Sequence, residues 1–186
     1  MVYRDTIGAH VVPTSRMTAA LNEELLKGNS CFGCGPDNPD GLRIRIFRDP
    51  ANASRLTGTY RPRATQTGFP QIVHGGLQFT ALDCMAAWTV LILRQPGKMM
   101  PITKSASTRF LKPATIGTEL ALSSEVIREA ASPREPLLIR GTIRDAAGEV
   151  LTEIDFEYLL LTQERFRQAV GLEAIPDSFR RHFGEL

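Results

Sequence analysis

His74-Gly75-Gly76-Leu77-Gln78-Phe79-Thr80-Ala81-Leu82-Asp83-Cys84-Met85-Ala86-Ala87-Trp88-Thr89-Val90-Leu91-Ile92-Leu93-Arg94 is the stretch whose reading decides the fold. Its apolar residues fall on nearly every side of a helical wheel, and a helix that is greasy all round is a buried helix. Pro96-Gly97 stops it, so the pattern predicts one long buried helix over 76–94. Within it Asp83 stands among Leu82, Cys84, Met85 and Ala86, with no Lys or Arg three or four positions away. Aspartate is a poor helix former, and burying an unpaired carboxylate is costly. Asp83 therefore either marks a polar edge of the helix or carries function.

Outward from the helix, strands are expected on both sides. Upstream, Leu42, Ile44 and Ile46 alternate with Arg43 and Arg45, which predicts a half-buried strand over 42–48, and 55–60 reads as a second. Residues 61–73 hold Pro62, Gly68 and Pro70 without periodicity and read as a loop. Downstream, strands are expected over 102–111, 119–128, 137–144 and 149–161, separated by turn signals at Lys112-Pro113, Ser132-Pro133 and Ala147-Gly148. Short connections make such strands antiparallel. The layout is strand, strand, buried helix and four strands, an α+β class in which one sheet wraps one helix. A single sheet covers such a helix only in part, and a second subunit can cover the rest.

One domain is expected over 1–186, with its core at about 40–161. Residues 1–39 form a leader, with a short helix from Thr14 or Ser15 to about Lys27 carrying Met17, Leu21 and Leu25, and then a turn-rich loop, CFGCGPDNPDG. Residues 162–186 form a C-terminal tail of two short helices, the second capped near Asp177, whose Phe166, Val170, Phe179 and Phe183 pack on the sheet or a neighbour. The composition is 42% hydrophobic and 23% charged with a net charge of +2, and no run of like charges points to nucleic acid. The N-terminus holds Asp5 and His10 without an apolar core, so it is not a secretory signal. The most apolar run, 77–93, is short for a membrane span and holds Gln78 and Asp83. A cytoplasmic protein with no membrane partner is expected.

The three cysteines, Cys31, Cys34 and Cys84, are few and odd in number, which argues against a disulfide framework. Cys31-Phe-Gly-Cys34-Gly35 is half of a zinc knuckle or a redox pair by pattern. A zinc site wants four ligands, and the remaining candidates, Cys84 and three histidines, stand at no motif-like spacing. A tight structural loop without metal is the expectation.

At the helix start, the two glycines after His74 open the backbone to close approach. The first amides of a helix lack internal partners and carry partial positive charge, which suits a developing oxyanion. A plain glycine-rich turn and a structural histidine satisfy the same pattern. Gly75 and Asp83 are eight residues apart, roughly 12 Å along a helix, while an oxyanion donor must lie about 3 Å from its target. One helix cannot easily serve one carbonyl with both groups; two helices from two subunits can, giving two sites related by a two-fold axis.

His74-Gly75-Gly76 followed by Asp83, with this order of elements, resembles hotdog-fold acyl-CoA thioesterases, above all the phenylacetate-pathway type. The resemblance covers about 40–161. It implies a long central helix wrapped by a curved antiparallel sheet, and hydrolysis of an acyl- or aroyl-CoA to the free acid and coenzyme A. By that resemblance Gly75 donates its amide to the thioester carbonyl, with Gly76 and His74 in the same turn, and His74 supports the loop or contacts substrate. Asp83 of the other subunit is nucleophile or general base. Thr103 matches a position near the attacking water. The Asn many relatives carry ahead of His-Gly-Gly is absent; Gln71 offers the same donor and acceptor. Lys112, in Phe110-Leu111-Lys112-Pro113, matches a basic residue that contacts coenzyme A phosphates. Arg109 is a weaker candidate that also reads as an edge-guarding charge.

The Cys-x-x-Cys-Gly and Asn38-Pro39-Asp40-Gly41-Leu42 segments resemble a stretch in a subset of relatives, where it folds against the helix start. The implied partners are an acyl-CoA and a second copy of the chain, as a dimer or dimer of dimers. No cofactor is implied beyond the coenzyme A of the substrate. A non-catalytic acyl-CoA binder on the same fold is the alternative from another class. A hotdog dehydratase or hydratase is disfavoured by the spacing to Asp83.

Overall fold

The computed structural model describes residues 19–94, 99–132 and 135–183. In chain order these hold α1 (Leu21–Leu25), β1 (Arg45–Arg48), β2 (Arg55–Tyr60), β3 (Thr67–Phe69), β4 (Ile72–Val73), α2 (Gly75–Leu93), β5 (Met99–Phe110), β6 (Leu120–Arg128), β7 (Leu137–Arg144), β8 (Val150–Thr162), α3 (Gln163–Val170) and α4 (Asp177–Phe183). Six strands form one antiparallel sheet in the order β1-β2-β6-β7-β8-β5. Helix α2 packs across its inner face, against β2, β5, β6, β7 and β8.

Period-two patterning explains the sheet. Along β8, Thr152, Ile154, Phe156 and Tyr158 are buried while Glu153, Asp155 and Glu157 are only partly so, as their alternation requires. The inner face meets Leu82, Met85 and Ala86 of α2 in one core with Ile46, Leu56 and Ile139, each fully buried. Each such aliphatic side chain contributes about 1.5–3 kcal/mol by leaving water. Polar groups between α2 and the sheet are paired, whereas Gln66 Nε2 and Arg94 Nε are buried without a partner among the described residues. Ser124 Oγ and Thr89 Oγ1 both donate to the Met85 carbonyl at 3.0 Å. Gln78 Nε2 donates to the Val73 carbonyl and its Oε1 accepts from Thr152 Oγ1, tying the start of α2 to β4 and β8.

The expected helix starts one residue earlier than read, at Gly75, because His74 caps it. The first strand begins at Arg45 rather than Leu42, since Arg43 takes a positive φ of 57° and interrupts the extended run; Leu42, Ile44 and Ile46 are buried as their alternation predicts. The expected loop over 61–73 contains the β3–β4 hairpin, whose turn Pro70-Gln71 places Gln71 at φ 66°. Strands of three and two residues are too short to show a period.

Among the described residues the leader helix spans Leu21–Leu25, and the expected caps Thr14 and Ser15, with Met17, lie outside them. Asn22 makes that short helix tenable. It is buried, donates to the carbonyls of Cys34 (2.7 Å) and Ile44 (2.9 Å), and accepts from the Ile46 amide (3.1 Å). The tail forms the two expected helices. Phe183 stacks edge-on against Trp88 with ring centres 5.8 Å apart, closing one flank of α2.

Candidate active site

The sheet and the terminal helices leave one stripe of α2 only partly covered. Gly76, Thr80, Asp83 and Ala87 recur on it at intervals of four, three and four residues, the spacing of one helical face. Asp83 thus sits at a polar edge of a buried helix, and its carboxylate is held in place. Asp83 Oδ1 accepts from Thr103 Oγ1 at 2.7 Å and from the Tyr158 hydroxyl at 2.8 Å. The Tyr158 hydroxyl also lies 2.9 Å from the Asp83 carbonyl. Thr103 and Tyr158 are direct cross-strand partners on β5 and β8, and the register shifts immediately after Thr103. A bulge of this kind re-aims the side chain beside it.

Tyr158 is buried, and burial together with the charge of Asp83 pushes its phenol far above the ordinary range, so it acts as a neutral donor. With Oδ1 taken twice, Oδ2 has no hydrogen-bond partner among the described residues.

The helix start is built differently. His74 Nδ1 accepts from the Gly76 amide at 2.9 Å, and the His74 carbonyl accepts from the amides of Leu77 (3.0 Å) and Gln78 (3.3 Å). Of the first four amides of α2, the one without a partner among the described residues is that of Gly75. His74 is therefore the helix cap, and Gly76 spends its amide on it. A Cβ at Gly75 would lie 2.9 Å from the Phe110 ring, so glycine permits this close approach. Gly75 opens into a groove of about 410 Å³ shared with Ile72, Val73, Phe110, Leu111 and Lys112. Lys112 stands on its rim, ion-paired with the exposed Glu149.

The other candidates fall around these two places. Gln71 lies at the hairpin turn, its carbonyl held by the Ile116 amide at 3.0 Å and its side chain exposed. Arg109 is engaged on the outer face of the sheet with Glu153 and Asp155, beside the Arg140–Asp155 pair at 2.7 Å, and lines neither place. The structure brings Thr103 to Asp83 and Lys112 to Gly75, and keeps the two pairs apart.

Two features escaped the sequence. Tyr158 reads there as one more apolar-face residue of β8, and only the β5–β8 register that pairs it with Thr103 brings it to Asp83. The tail also lines a cavity of about 300 Å³, with Phe166, Ile175 and Phe179 facing Ala87, Leu91 and Met100. That cavity begins one helical turn beyond Asp83. Phe79 packs against Phe156 and Trp88 against Phe183. The sulfurs of Cys31, Cys34 and Cys84 meet beside the same helix, within 4.8 Å of one another.

No protein-family model and no curated protein sequence matches the chain. Solved structures do. A thioesterase superfamily protein, RHA08564, superposes with a TM-score of 0.59 at 21% identity over 67% of this chain and 60% of its own, so the chain spans less than two thirds of that neighbour's length. The Escherichia coli PaaI protein of the phenylacetic acid degradation operon gives 0.55 at 16% identity, covering 64% and 80%. A hypothetical thioesterase of Streptococcus pneumoniae, crystallised with coenzyme A, gives 0.53 at 18% identity, covering 63% and 87%. The fold is the hotdog fold: a long central helix wrapped by a six-stranded antiparallel sheet.

Proposed function

We propose that the chain is an acyl-CoA thioester hydrolase whose site joins Asp83 of one subunit to the Gly75 amide of another. The observation that carries this is the carboxylate itself: a half-buried Asp on a core helix, oriented by two hydroxyls from two strands, with one oxygen left for chemistry. The coenzyme A bound to the pneumococcal neighbour supports the ligand class. The unshared Gly75 amide supplies a carbonyl-polarising donor, and Lys112 beside it suits a phosphate. The apolar cavity one turn beyond Asp83 is sized for an aromatic ring or a medium acyl tail, at the small end of ligand cavities of about 300–1,000 Å³.

In this reading the thioester carbonyl accepts from the Gly75 N–H. Asp83 Oδ2 either attacks the carbonyl carbon, expelling coenzyme A thiolate and forming an anhydride that water then hydrolyses to the free acid, or takes a proton from a water that attacks the carbonyl carbon directly and expels the thiolate, the proton passing to the leaving sulfur. Thr103 and Tyr158 hold Oδ1, so the reactive oxygen cannot rotate away. Two subunits are required because the two groups stand roughly 12 Å apart along one helix. The free edge of β5, twelve residues long, and the uncovered stripe on α2 are the surfaces a second copy would cover.

Thiol release from a panel of acyl- and aroyl-CoAs tests the reading, with Asp83→Asn alongside. The substitution keeps the acceptor for Thr103 and Tyr158, so the fold should hold while kcat falls by about 10³-fold. Unchanged turnover in Asp83→Asn refutes the assignment. The non-catalytic alternative draws on the missing loop Asn. It is the outcome if no thioester is cleaved while coenzyme A still raises the melting temperature.

A further inference from the structure

Cys31 and Cys34 come from the leader loop and Cys84 from the middle of α2, yet their three Sγ atoms lie within 4.8 Å of one another. Cys31 Sγ is 3.7 Å from Cys84 Sγ. Thiolates at the usual Zn–S length of about 2.3 Å in a tetrahedron stand about 3.8 Å from each other, so this pair already has the spacing of two ligands on one ion.

The loop around the sulfurs is shaped for them. The Gly35 amide donates to the Cys31 carbonyl at 2.9 Å and closes a tight turn. A Cβ on Gly33 would lie 2.3 Å from Cys84 Sγ, and one on Gly35 2.5 Å from the carbonyls of Asn29 and Cys31. Only glycine at both positions lets the loop seat its sulfurs against the helix. Trp88 Nε1 donates to Cys34 Sγ at 3.3 Å and Asn29 Nδ2 approaches it at 3.8 Å. N–H donors directed at sulfur from a surrounding shell are what orients and stabilises thiolate ligands.

We propose that Cys31, Cys34 and Cys84 form a three-thiolate site for a thiophilic d10 cation, zinc foremost, with the fourth position open on the side of Cys31, the most exposed of the three. Hard cations such as magnesium and calcium take oxygen ligands and are not served by three sulfurs. The bound ion would clamp the leader loop to α2 at the residue following Asp83. The proposal is independent of the thioesterase reading.

The test uses the full chain, expressed without a histidine tag, reduced, stripped of metal and titrated anaerobically with Co2+ and then Zn2+. One equivalent of Co2+ is expected, with sulfur-to-metal charge-transfer absorption and the visible bands of a tetrahedral thiolate complex, bleached by one equivalent of Zn2+. Zinc should also raise the melting temperature. Cys31→Ser and Cys84→Ser should weaken zinc binding by about 100-fold or more. The wild-type cobalt spectrum decides the matter even if a variant fails to fold. Three thiols that stay fully reactive to a thiol reagent in excess zinc overturn the site, as does a disulfide between any two of them in anaerobically purified protein.

Discussion

The two ends of the stripe that α2 leaves uncovered are built on opposite principles. At the helix start, polarity comes from the backbone: His74 caps Gly76 and its carbonyl takes the next two amides, and the remaining amide, Gly75, opens into a groove. Eight residues on, polarity comes from side chains alone, with Thr103 and Tyr158 converging on one oxygen of Asp83. A helix can offer free amides only at its first turn, and it can place a carboxylate at any point along its length. In the proposed reading each place supplies one half of an acyl-transfer site, and the two halves stand roughly 12 Å apart along one helix.

The sharpest way to break this comparison is to disable each half in a separate chain. Gly75→Pro removes the free amide at the first helical position, where proline is accepted once the exposed Phe110 ring, 2.9 Å from a Cβ there, swings aside, and His74 already has the extended backbone that a following proline requires. Each homodimer, Gly75→Pro or Asp83→Asn, should be nearly inactive. Co-expressed together they should recover about a quarter of wild-type turnover, since half the dimers are hybrid and each hybrid holds one intact site of two. No recovery would mean that both groups act within one subunit, or that the site is not composite.

Tyr158→Phe sharpens the carboxylate half. The ring still fills its place against Phe156, but Oδ1 keeps only Thr103. A fall in kcat of about 10- to 100-fold is expected with KM little changed, because a misaligned reacting oxygen costs rate rather than binding. The variant should lose about 1 kcal/mol of stability by denaturant titration. An equal effect on KM alone would place Tyr158 in substrate binding instead.

Lys112→Ala addresses the amide half. It should raise KM for coenzyme A thioesters by about fivefold and leave thioesters of a short pantetheine analogue, which lacks the nucleotide phosphates, unaffected. Stability should hardly change, since the Lys112–Glu149 pair is exposed.

The smallest effect belongs to the outer face. Arg140, then Arg109, hold the Asp155 carboxyl below its usual range. A carboxyl lowered on folding stabilises the native state above its unfolded pKa of about 3.9, and that contribution disappears as pH falls through the folded value. Asp155→Asn should therefore melt slightly lower than wild type at pH 7, by under about 1 kcal/mol, with the difference closing below about pH 4. A gap that persists in acid would assign the loss to packing.

The sequence by itself determined the elements whose patterns are long. Strands β2 and β7 fall on the expected residues, and the helix is displaced by one, because a period needs only several consecutive side chains to declare itself. It also singled out Asp83, since a carboxylate among apolar neighbours is costly wherever the chain folds, and the pairing of His-Gly-Gly with that acid resembled the family whose fold the solved structures share. Tertiary structure alone decided what surrounds those residues. Tyr158 reaches Asp83 across 75 positions, Cys84 meets Cys31 across 53, and Arg109 turns to the outer face through the register of β5 against β8. These are contacts between segments, set by strand order, register and a single bulge, and none leaves a local spacing in the chain for a reader to find.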